Sequence, residues 1–449
     1  MSKQKIQLSD HFNYSRLLRF VLPCVGTMLF TSIYGIVDGL CVSNFVGKTA
    51  FAAVNLIMPL PMLLGTIGFM LGTGGSAIVG ITLGEGDQKK ADRYFTLFLL
   101  AALVSVSVLA VLGIVFLRPI AVLLGAKGEL LDYAVRYGRI LMVSLPTFAL
   151  QNMFQSFFVT AEKPHLGFWF TVGAGCTNMV LDVLMVGVWG WGVEGAAIAT
   201  FISQLVGGVL PVFYFIDRSN TSRLHLCQTK VYGGVLRDAC INGSSELMTN
   251  LSMSLVNILY NYQLLRLAGE NGVAAYGVIM YAAFLFVAVF VGYAVGSAPI
   301  VSFHYGARNH AEVHNLYRKS LRLIAVVAVT LTLASMFIIP CVARVFVGYD
   351  AELLALTSRA FRLYALSFLI MGFNVYASSF FTALGDGVTS ALISFLRTLA
   401  FQVIAILLLP MLLGIDGIWL AVTAAELAAL AVSAAMLLTK DKVFHYRKA

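Results

Sequence analysis

Long stretches without charge are the feature of this sequence that most restricts its fold. Residues 97–117 and 399–413 contain no charged side chain, and residues 321–340 contain only Arg322. A helix needs about 20 apolar residues to cross the hydrocarbon core of a bilayer, and these stretches approach or exceed that length. They predict membrane-spanning helices rather than segments of a water-soluble domain.

Charged loops divide the chain into twelve such stretches, in a sequence that is 59% hydrophobic and 11% charged. The stretches do not alternate strictly between apolar and polar residues, and a backbone in lipid must satisfy its own hydrogen bonds, so we expect helices and not a β-barrel. The predicted fold class is an all-α membrane protein with twelve transmembrane helices. Their expected bounds are 19–41, 51–82, 95–117, 133–160, 168–188, 194–216, 238–265, 272–303, 320–341, 360–383, 389–411 and 417–438.

The distribution of lysine and arginine predicts the orientation of these helices. With the N-terminus inside, the inner segments hold 20 basic residues and the outer segments hold 9, and Arg397 lies inside a helix. Cytoplasmic loops carry the excess of basic residues in membrane proteins. We therefore expect both termini to be cytoplasmic, in a multi-pass protein of the cell inner (plasma) membrane.

Several other classes of protein do not fit the sequence. The net charge of +9 is spread over short inner loops and both tails, which favours membrane orientation over nucleic-acid binding. No Walker-type phosphate loop, Ser-His-Asp set or metal signature occurs in the sequence, so we expect neither an enzyme nor a bound cofactor. The six cysteines include no CxxC pair and predict neither disulfides nor a metal site.

The sequence repeats itself at an offset of 222 to 223 residues. The aligned blocks pair 52–58 with 274–280, 74–84 with 296–306, 129–131 with 352–354, 156–158 with 379–381 and 192–195 with 414–417. We predict two homologous six-helix lobes, 1–222 and 223–449, joined by an inner linker at about 217–237. Because each lobe has an even number of helices, both should enter the membrane in the same direction, related by a pseudo-twofold axis along the membrane normal with a cleft between them.

Four carboxyl groups lie well inside predicted helices: Asp38, Asp182, Glu246 and Glu426. A charge at that depth costs about 2.5 to 3.5 kcal/mol on insertion scales, so each carboxyl needs a partner, a proton or a wet cavity. Asp38 is the first candidate for an ion-binding carboxyl. Pro23, earlier in the same helix, removes a backbone donor and permits a bend. The alternative is that these acids only join helices through buried hydrogen bonds.

The spacing of other polar residues adds to this pattern. Asn178 and Asp182 are four residues apart and therefore lie on one face of a helix. Arg397 and Glu426 could form a buried, structural ion pair, or either could face a central cavity. Glu246 is either a functional acid or a residue near the inner membrane interface.

Large flexible or aromatic side chains could line a cavity for a hydrophobic ligand. The candidates are Phe154, Phe157, Phe158, Phe380, Phe381, Met28, Met62 and Met248. The chain has 32 Phe and 16 Met residues in all, so most of them must pack between helices or face lipid.

The sequence resembles the multidrug and toxic compound extrusion (MATE) transporters over nearly its whole length. The residues that carry the resemblance are Pro23, 34–38 (YGIVD), 83–86 (LGEG), 178–182 (an Asn and an Asp four apart), 192–197 (GVEGAA) and 305–308 (YGAR). The resemblance implies a V-shaped pair of helix bundles that moves cationic, aromatic compounds outward in exchange for inward H⁺ or Na⁺ by alternating access.

The resemblance also implies roles for particular residues. It matches the polar cluster of the family's N-terminal lobe, where H⁺ or Na⁺ would bind, to Asp38, Asn178, Asp182, Thr200 and Tyr137. A Na⁺ ion would then lie at Asp38, Asn178 and Asp182. In the C-terminal lobe it associates Glu246 with cation coupling or substrate charge, and Asn374 stands where some members have a second acid.

A flippase for lipids or lipid-linked saccharides, of the same wider superfamily, is the alternative function. Such a protein usually needs several basic residues in its cavity to hold phosphate. Arg397 is the single basic residue placed well inside a predicted helix and away from its ends, so the sequence favours a cationic cargo. The expected partners are small organic cations and membrane lipid, without nucleic acid or an obligate protein partner.

Overall fold

The computed structural model describes residues 6–46, 48–348 and 350–447, with backbone alone at 38–45, 48, 51, 340, 342 and 345. Within these ranges every regular element is a helix. We number the helical spans from 1 to 12 along the chain.

The first six spans form as follows. Span 1 is Tyr14–Phe45, span 2 is Lys48–Ile57 with Pro59–Gly84, span 3 is Gln88–Leu123, span 4 is Glu129–Thr160, span 5 is Pro164–Asp182 with Val183–Val188, and span 6 is Gly192–Gln204 with Leu205–Val209 and Leu210–Ile216. Val183–Val188 and Leu205–Val209 are π-helical. These six spans correspond to the first predicted lobe.

The remaining six spans follow a linker without regular structure. Spans 7 and 8 are the two arms of Gly233–Gly306 on either side of Gly269, span 9 is His310–Val347, span 10 is Ala351–Ala365 with Phe368–Ala383, span 11 is Gly387–Phe395 with the π-helical Leu396–Ala400 and with Phe401–Leu413, and span 12 is Ile415–Thr439. A short helix, Asp441–Phe444, lies beyond them.

Length and apolar composition alone identify nine spanning helices in the described residues, or ten when the pair in span 10, bent by 46°, is counted as one. Gly233–Gly306 counts there as one helix but contains two predicted spans, because Gly269 has non-helical angles (φ 60°, ψ −151°) that reverse the chain. Span 4 is the twelfth, and Gln151, Asn152 and Gln155 lower its hydropathy. A helix therefore stands at each of the twelve predicted positions.

Most helices begin several residues before the predicted apolar stretches, and polar side chains cap some of these starts. The side chain of Asp87 accepts a hydrogen bond from the backbone of Lys90 at the start of span 3. Asn309 and Asp386 cap spans 9 and 11 in the same way. Such caps satisfy backbone N–H groups that a helix leaves free at its start.

One end of the molecule, which we call the terminal face, carries the first and last described segments, residues 6–13 and 441–447. Phe12 contacts Glu312 at the start of span 9, and the imidazole of His314 contacts the carbonyl oxygen of Tyr446 at 2.9 Å. Odd-numbered spans begin at this face, and even-numbered spans end there.

The two lobes meet in the half of the molecule nearest the terminal face, where glycines bring their backbones together. A Cβ atom on Gly84 of span 2 would lie 2.0 Å from the carbonyl oxygen of Phe303 in span 8, and one on Gly306 would lie 2.1 Å from that of Ile81. Spans 1 and 8 also approach closely at Gly292, where a Cβ atom would lie 2.5 Å from the Cα of Val25. The terminal face is therefore closed in this structure.

Candidate cation-coupling and substrate sites

The first candidate site lies in span 5, where Asn178 and Asp182 are both buried and Asp182 is 0% exposed. They share one helical face, as their spacing predicts. The oxygen Oδ1 of Asn178 is buried without a hydrogen-bond partner among the described residues. Span 5 becomes π-helical directly after Asp182, and such wide turns are frequent at functional sites.

Span 1 packs against span 5 just before these residues. A Cβ atom on Gly175 would lie 2.5 Å from the ring of Phe30 and 3.3 Å from that of Tyr34. In the backbone, Asp38 is one helical turn beyond Tyr34, and Asn178 is about one turn beyond Gly175. The side chain of Asp38 lies outside the described residues, so its place in a cation site with Asn178 and Asp182 stays a prediction.

The other predicted residues of the first lobe occupy neighbouring spans. Thr200 is partly buried in span 6, and its carbonyl oxygen accepts a hydrogen bond from Ser203 at 2.8 Å. Tyr137 is 1% exposed in span 4 and belongs to an apolar cluster with Val186 of span 5 and Ala196 of span 6. Their roles in ion binding stay predictions.

Pro23 lies within the continuous helix of span 1, and its carbonyl oxygen accepts a hydrogen bond from the hydroxyl of Thr27 at 2.9 Å. The bend that its missing donor permits is a prediction about the transport cycle.

A narrow cavity lies between spans 1, 4, 5 and 6 of the first lobe, and Val295 of span 8 also lines it. Three of the suggested cavity residues, Met28, Phe154 and Phe158, line it. Phe157 instead packs against Phe95, with ring centroids 4.8 Å apart, and Phe380 packs against Tyr446.

Two amide side chains, Gln151 and Gln155, also line this cavity. Neither glutamine is among the cavity residues suggested from the sequence. Two amides four residues apart in a membrane span nevertheless give a recognisable polar face. An aromatic wall with a few polar groups is typical of ligand sites, but in this conformation the cavity has room for only about one water molecule.

In the second lobe, Arg397 of span 11 and Glu426 of span 12 form an ion pair, with Nε 2.8 Å from Oε1 and side chains only 13% and 1% exposed. Asn374 of span 10 donates to Oε2 of Glu426 at 2.7 Å, and its own oxygen accepts from Ser433 at 2.9 Å. Of the two alternatives for these intramembrane charges, the structure shows the buried ion pair, and hydrogen bonds satisfy both carboxylate oxygens.

Glu246 is partly buried in span 7 and interacts electrostatically with the same Arg397. Its backbone carbonyl accepts a hydrogen bond from Asn250 at 2.9 Å. The guanidinium of Arg397 therefore interacts with two carboxyl groups. The cluster of Glu246, Arg397 and Glu426 has one positive and two negative charges when both acids are ionised, a net charge of −1.

In the part of the chain that the structure describes, no group of three or more His, Cys, Asp and Glu side chains could hold a metal ion. Carboxylate and amide oxygens are, however, suitable ligands for a hard cation. Asp182 and Asn178 offer such oxygens, and the third predicted ligand of Na⁺, Asp38, falls on an undescribed side chain.

The MatE family model matches the chain twice, over residues 23–184 and 247–408. The chain belongs to the MatE family. The two matches cover the first five spans of each lobe, which confirms that the halves of this transporter are homologous. It is a multi-pass membrane transporter and not an enzyme.

Named relatives and solved structures agree with this MatE assignment. The multidrug export protein MepA of Staphylococcus saprophyticus is 21% identical over 436 residues, which covers 96% of this chain and 95% of that protein. An outward-facing multidrug resistance MATE transporter of the MOP superfamily superposes with a TM-score of 0.91 at 22% identity, with both chains fully covered.

A mutant of the Vibrio cholerae MATE transporter VcmN superposes on the chain with a TM-score of 0.89 at 18% identity, covering 96% of this chain and 98% of that one. These likenesses confirm the predicted fold, two lobes of six helices each.

Proposed function

We propose that this MatE transporter exports small organic cations, including drugs, in exchange for H⁺ or Na⁺, by alternating access of its two lobes. The MepA relatives, which are multidrug export proteins, support the export of drugs. The deeply buried carboxyl group of Asp182 is the observation that carries the coupling to an ion.

A carboxyl group at this depth is stable only when a proton, a cation or several donors neutralise it. Asn178 adds a buried amide oxygen to the same helical face, and an oxygen without a donor is suited to a cation. Binding and release of H⁺ or Na⁺ at Asp182, with Asp38, Thr200 and Tyr137 as further members of the cluster, would change the charge of the first lobe during the cycle.

Glu246 is the proposed acid of the second lobe. Because Glu426 already holds Arg397 at 2.8 Å, the excess negative charge of that cluster belongs to Glu246. It can attract a cationic substrate or a second coupling ion.

The energetics limit the stoichiometry. Moving one elementary charge across 100 mV is worth about 2.3 kcal/mol, and a tenfold concentration gradient is worth about 1.4 kcal/mol. If one proton enters while one monovalent cation leaves, the electrical terms cancel and only the pH gradient drives export. Two protons, bound at Asp38 and Asp182, would add the membrane potential as a driving force.

The proposed setting is the plasma membrane with both termini in the cytoplasm, as the 20 inner and 9 outer basic residues predict. The terminal face is then cytoplasmic. Transport needs no cofactor and no obligate protein partner in this proposal, only the coupling ion, the cationic substrate and surrounding lipid.

The test is export of a fluorescent organic cation from liposomes that contain the purified protein, under an imposed pH or Na⁺ gradient. The gradient that drives export identifies the ion. Asp38→Asn should abolish gradient-driven export while the protein remains folded. Unchanged export by Asp38→Asn would remove this residue from the mechanism and direct attention to Glu246.

The comparisons do not favour the flippase alternative, and the same liposomes can test it. Failure of the wild-type protein to move any organic cation, together with movement of a fluorescent lipid between leaflets, would contradict the export proposal.

A further inference from the structure

The non-helical segment before span 1, residues 6–13, bridges the two lobes at the terminal face. The backbone N–H of Leu8 donates to the carboxylate of Glu162 in the first lobe at 2.9 Å. Four residues later, the N–H of Phe12 donates to Glu312 in the second lobe at 2.8 Å. The side chains of Leu8 and Phe12 are both fully buried, so the segment packs between other parts of the terminal face.

Three side chains of the second lobe hold the segment, those of Glu312, Asn315 and Lys319. Glu312 accepts a hydrogen bond from Phe12, contacts Nδ1 of His11 at 2.6 Å and accepts another from Asn315 at 2.8 Å. The ammonium group of Lys319 donates to the carbonyl oxygen of Phe12 at 2.7 Å. Bonds to charged groups are about twice as strong as neutral ones.

Glu162 ties the segment to the first lobe and also to the linker between the lobes. Its Oε1 accepts a hydrogen bond from the N–H of Leu8 at 2.9 Å and another from the guanidinium of Arg223 at 2.7 Å. The same guanidinium lies 4.9 Å from the centre of the Phe303 ring in the second lobe. One carboxylate oxygen thus joins the loop after span 4, the N-terminal segment and the linker.

The backbone at Glu162 is strained, which indicates that its side chain is needed there. Its φ is +62°, in the left-handed region that glycine adopts freely. At an offset of 223, the repeat places Gly385 at this position in the second lobe, with φ +83°. A left-handed non-glycine residue persists only where its surroundings hold it.

We propose that Glu162 and Glu312 are latch residues that hold the terminal face closed through the N-terminal segment and the linker. This inference rests on the proposed alternating access, because the lobes must separate at this face for the cavity to open there. Separation parts Gly84 from Phe303 and must also release Leu8 from Glu162 or Phe12 from Glu312.

Maleimide labelling of Ser302→Cys, in a background without the native cysteines, reports how often the face opens. Ser302 is fully buried, and its Cβ lies 2.8 Å from the place of a Cβ on Gly80 in the other lobe. Glu162→Gly removes the carboxylate and relieves the strain, so the loop keeps its shape. We expect this variant, purified in detergent, to be labelled about tenfold faster, which corresponds to about 1.4 kcal/mol.

Arg308→Gly is the matched control. Arg308 also has a left-handed φ of +55°, its side chain is exposed, and the repeat pairs it with Gly86 at φ +87°. This change relieves the same kind of strain after span 8 without touching the latch, and it should leave labelling unchanged. Equal acceleration by Arg308→Gly would show an effect of loop strain and would overturn the proposal.

Glu312→Gln tests the other end of the segment with little change in volume, and it should also accelerate labelling. Unchanged labelling in both Glu162→Gly and Glu312→Gln would overturn the latch. Labelling requires no substrate and no gradient, so acceleration in these variants supports the latch even if the liposomes show no export. Absence of export would then count only against the proposed function.

Discussion

The two lobes share one helical plan and differ in how they hold buried charge. The first lobe has Asp182 and Asn178 on span 5, and at an offset of 222 the second lobe has the apolar Ile404 in place of Asp182. The second lobe instead has Arg397 paired with Glu426, and the same offset places Gln204 at the position of Glu426.

This difference in buried charged groups predicts different roles for the two lobes. A carboxyl group beside a buried amide oxygen can take up and release a cation, whereas a carboxylate bonded to both a guanidinium and an amide is fixed. The comparison predicts that the first-lobe acid serves transport and that the pair in the second lobe serves stability.

The largest expected effect is on stability, from Glu426→Gln. This change leaves Arg397 buried without its main partner, and breaking a buried pair costs about 3 kcal/mol or more. A denaturant titration in detergent should show a loss of about 3 kcal/mol in the free energy of unfolding, since Glu246 still interacts with Arg397.

The matched control for that prediction replaces both charges, Arg397→Met with Glu426→Leu. An apolar pair of similar volume often restores the stability that a broken ion pair loses. Wild-type stability in the single variant would contradict the structural role of the pair.

Asp182→Asn should have the next largest effect, and on transport rather than stability. The amide keeps the volume of the side chain and one acceptor oxygen, but it replaces the other oxygen with a donor, cannot bind a proton and cannot balance the charge of a cation. We expect gradient-driven export to fall about 100-fold, equivalent to about 2.7 kcal/mol, with an unchanged free energy of unfolding. Asp132→Asn, the same change at an exposed acid of span 4, is the control; equal export by both variants would remove Asp182 from the coupling site.

The loops before spans 5 and 11 differ in the same way as the buried charges. Asp386 caps span 11 through Thr389 and contacts Lys440 at 2.9 Å, whereas its counterpart in the repeat, Lys163, makes no side-chain cap of span 5. Burial alone would raise the pKa of Asp386, but the hydrogen bonds from Lys440 and Thr389 outweigh it and lower that pKa.

Asp386→Ala should therefore destabilise the protein by about 1 kcal/mol, the usual value of such a cap. Because the folded pKa is lowered, this contribution is complete above about pH 4 and is lost as the pH falls through the lowered value. Thermal unfolding of wild type and variant should thus converge at low pH. A difference that persists undiminished there would show that the charge of Asp386 is not the cause.

The sequence was sufficient to locate the twelve helices, because a helix that crosses lipid needs an apolar stretch of the corresponding length in its own sequence. It also suggested the Arg397–Glu426 pair, because an intramembrane charge requires a partner. It could not show that Asn374 and Ser433 complete this cluster, since those bonds depend on how spans 10 and 12 pack. The latch was equally hidden, because Phe12 and Glu312 are 300 residues apart. The predicted lobe boundary at residue 222 stays a prediction.

One feature repeats in both lobes and gives the smallest expected effect. Arg136 lies 3.7 Å from Glu194 in the first lobe, and the repeat places Arg359 and Asp416, which also form an ion pair, at the same positions in the second. These pairs join the starts of spans 4 and 6, and of spans 10 and 12, on the side opposite the terminal face. Exposed pairs contribute about 0 to 1 kcal/mol each.

Of the two pairs, the second should contribute more, because the side chain of Asp416 is 28% exposed and that of Glu194 is 48% exposed. Arg359→Gln should therefore lower the free energy of unfolding slightly more than Arg136→Gln, both by less than about 1 kcal/mol. Unfolding at low and high salt checks this, since salt screens exposed charges and should reduce both effects. A larger effect of Arg136→Gln would mean that burial of the acid does not determine the strength of the repeated pair, and that the lobes differ on this side of the molecule too.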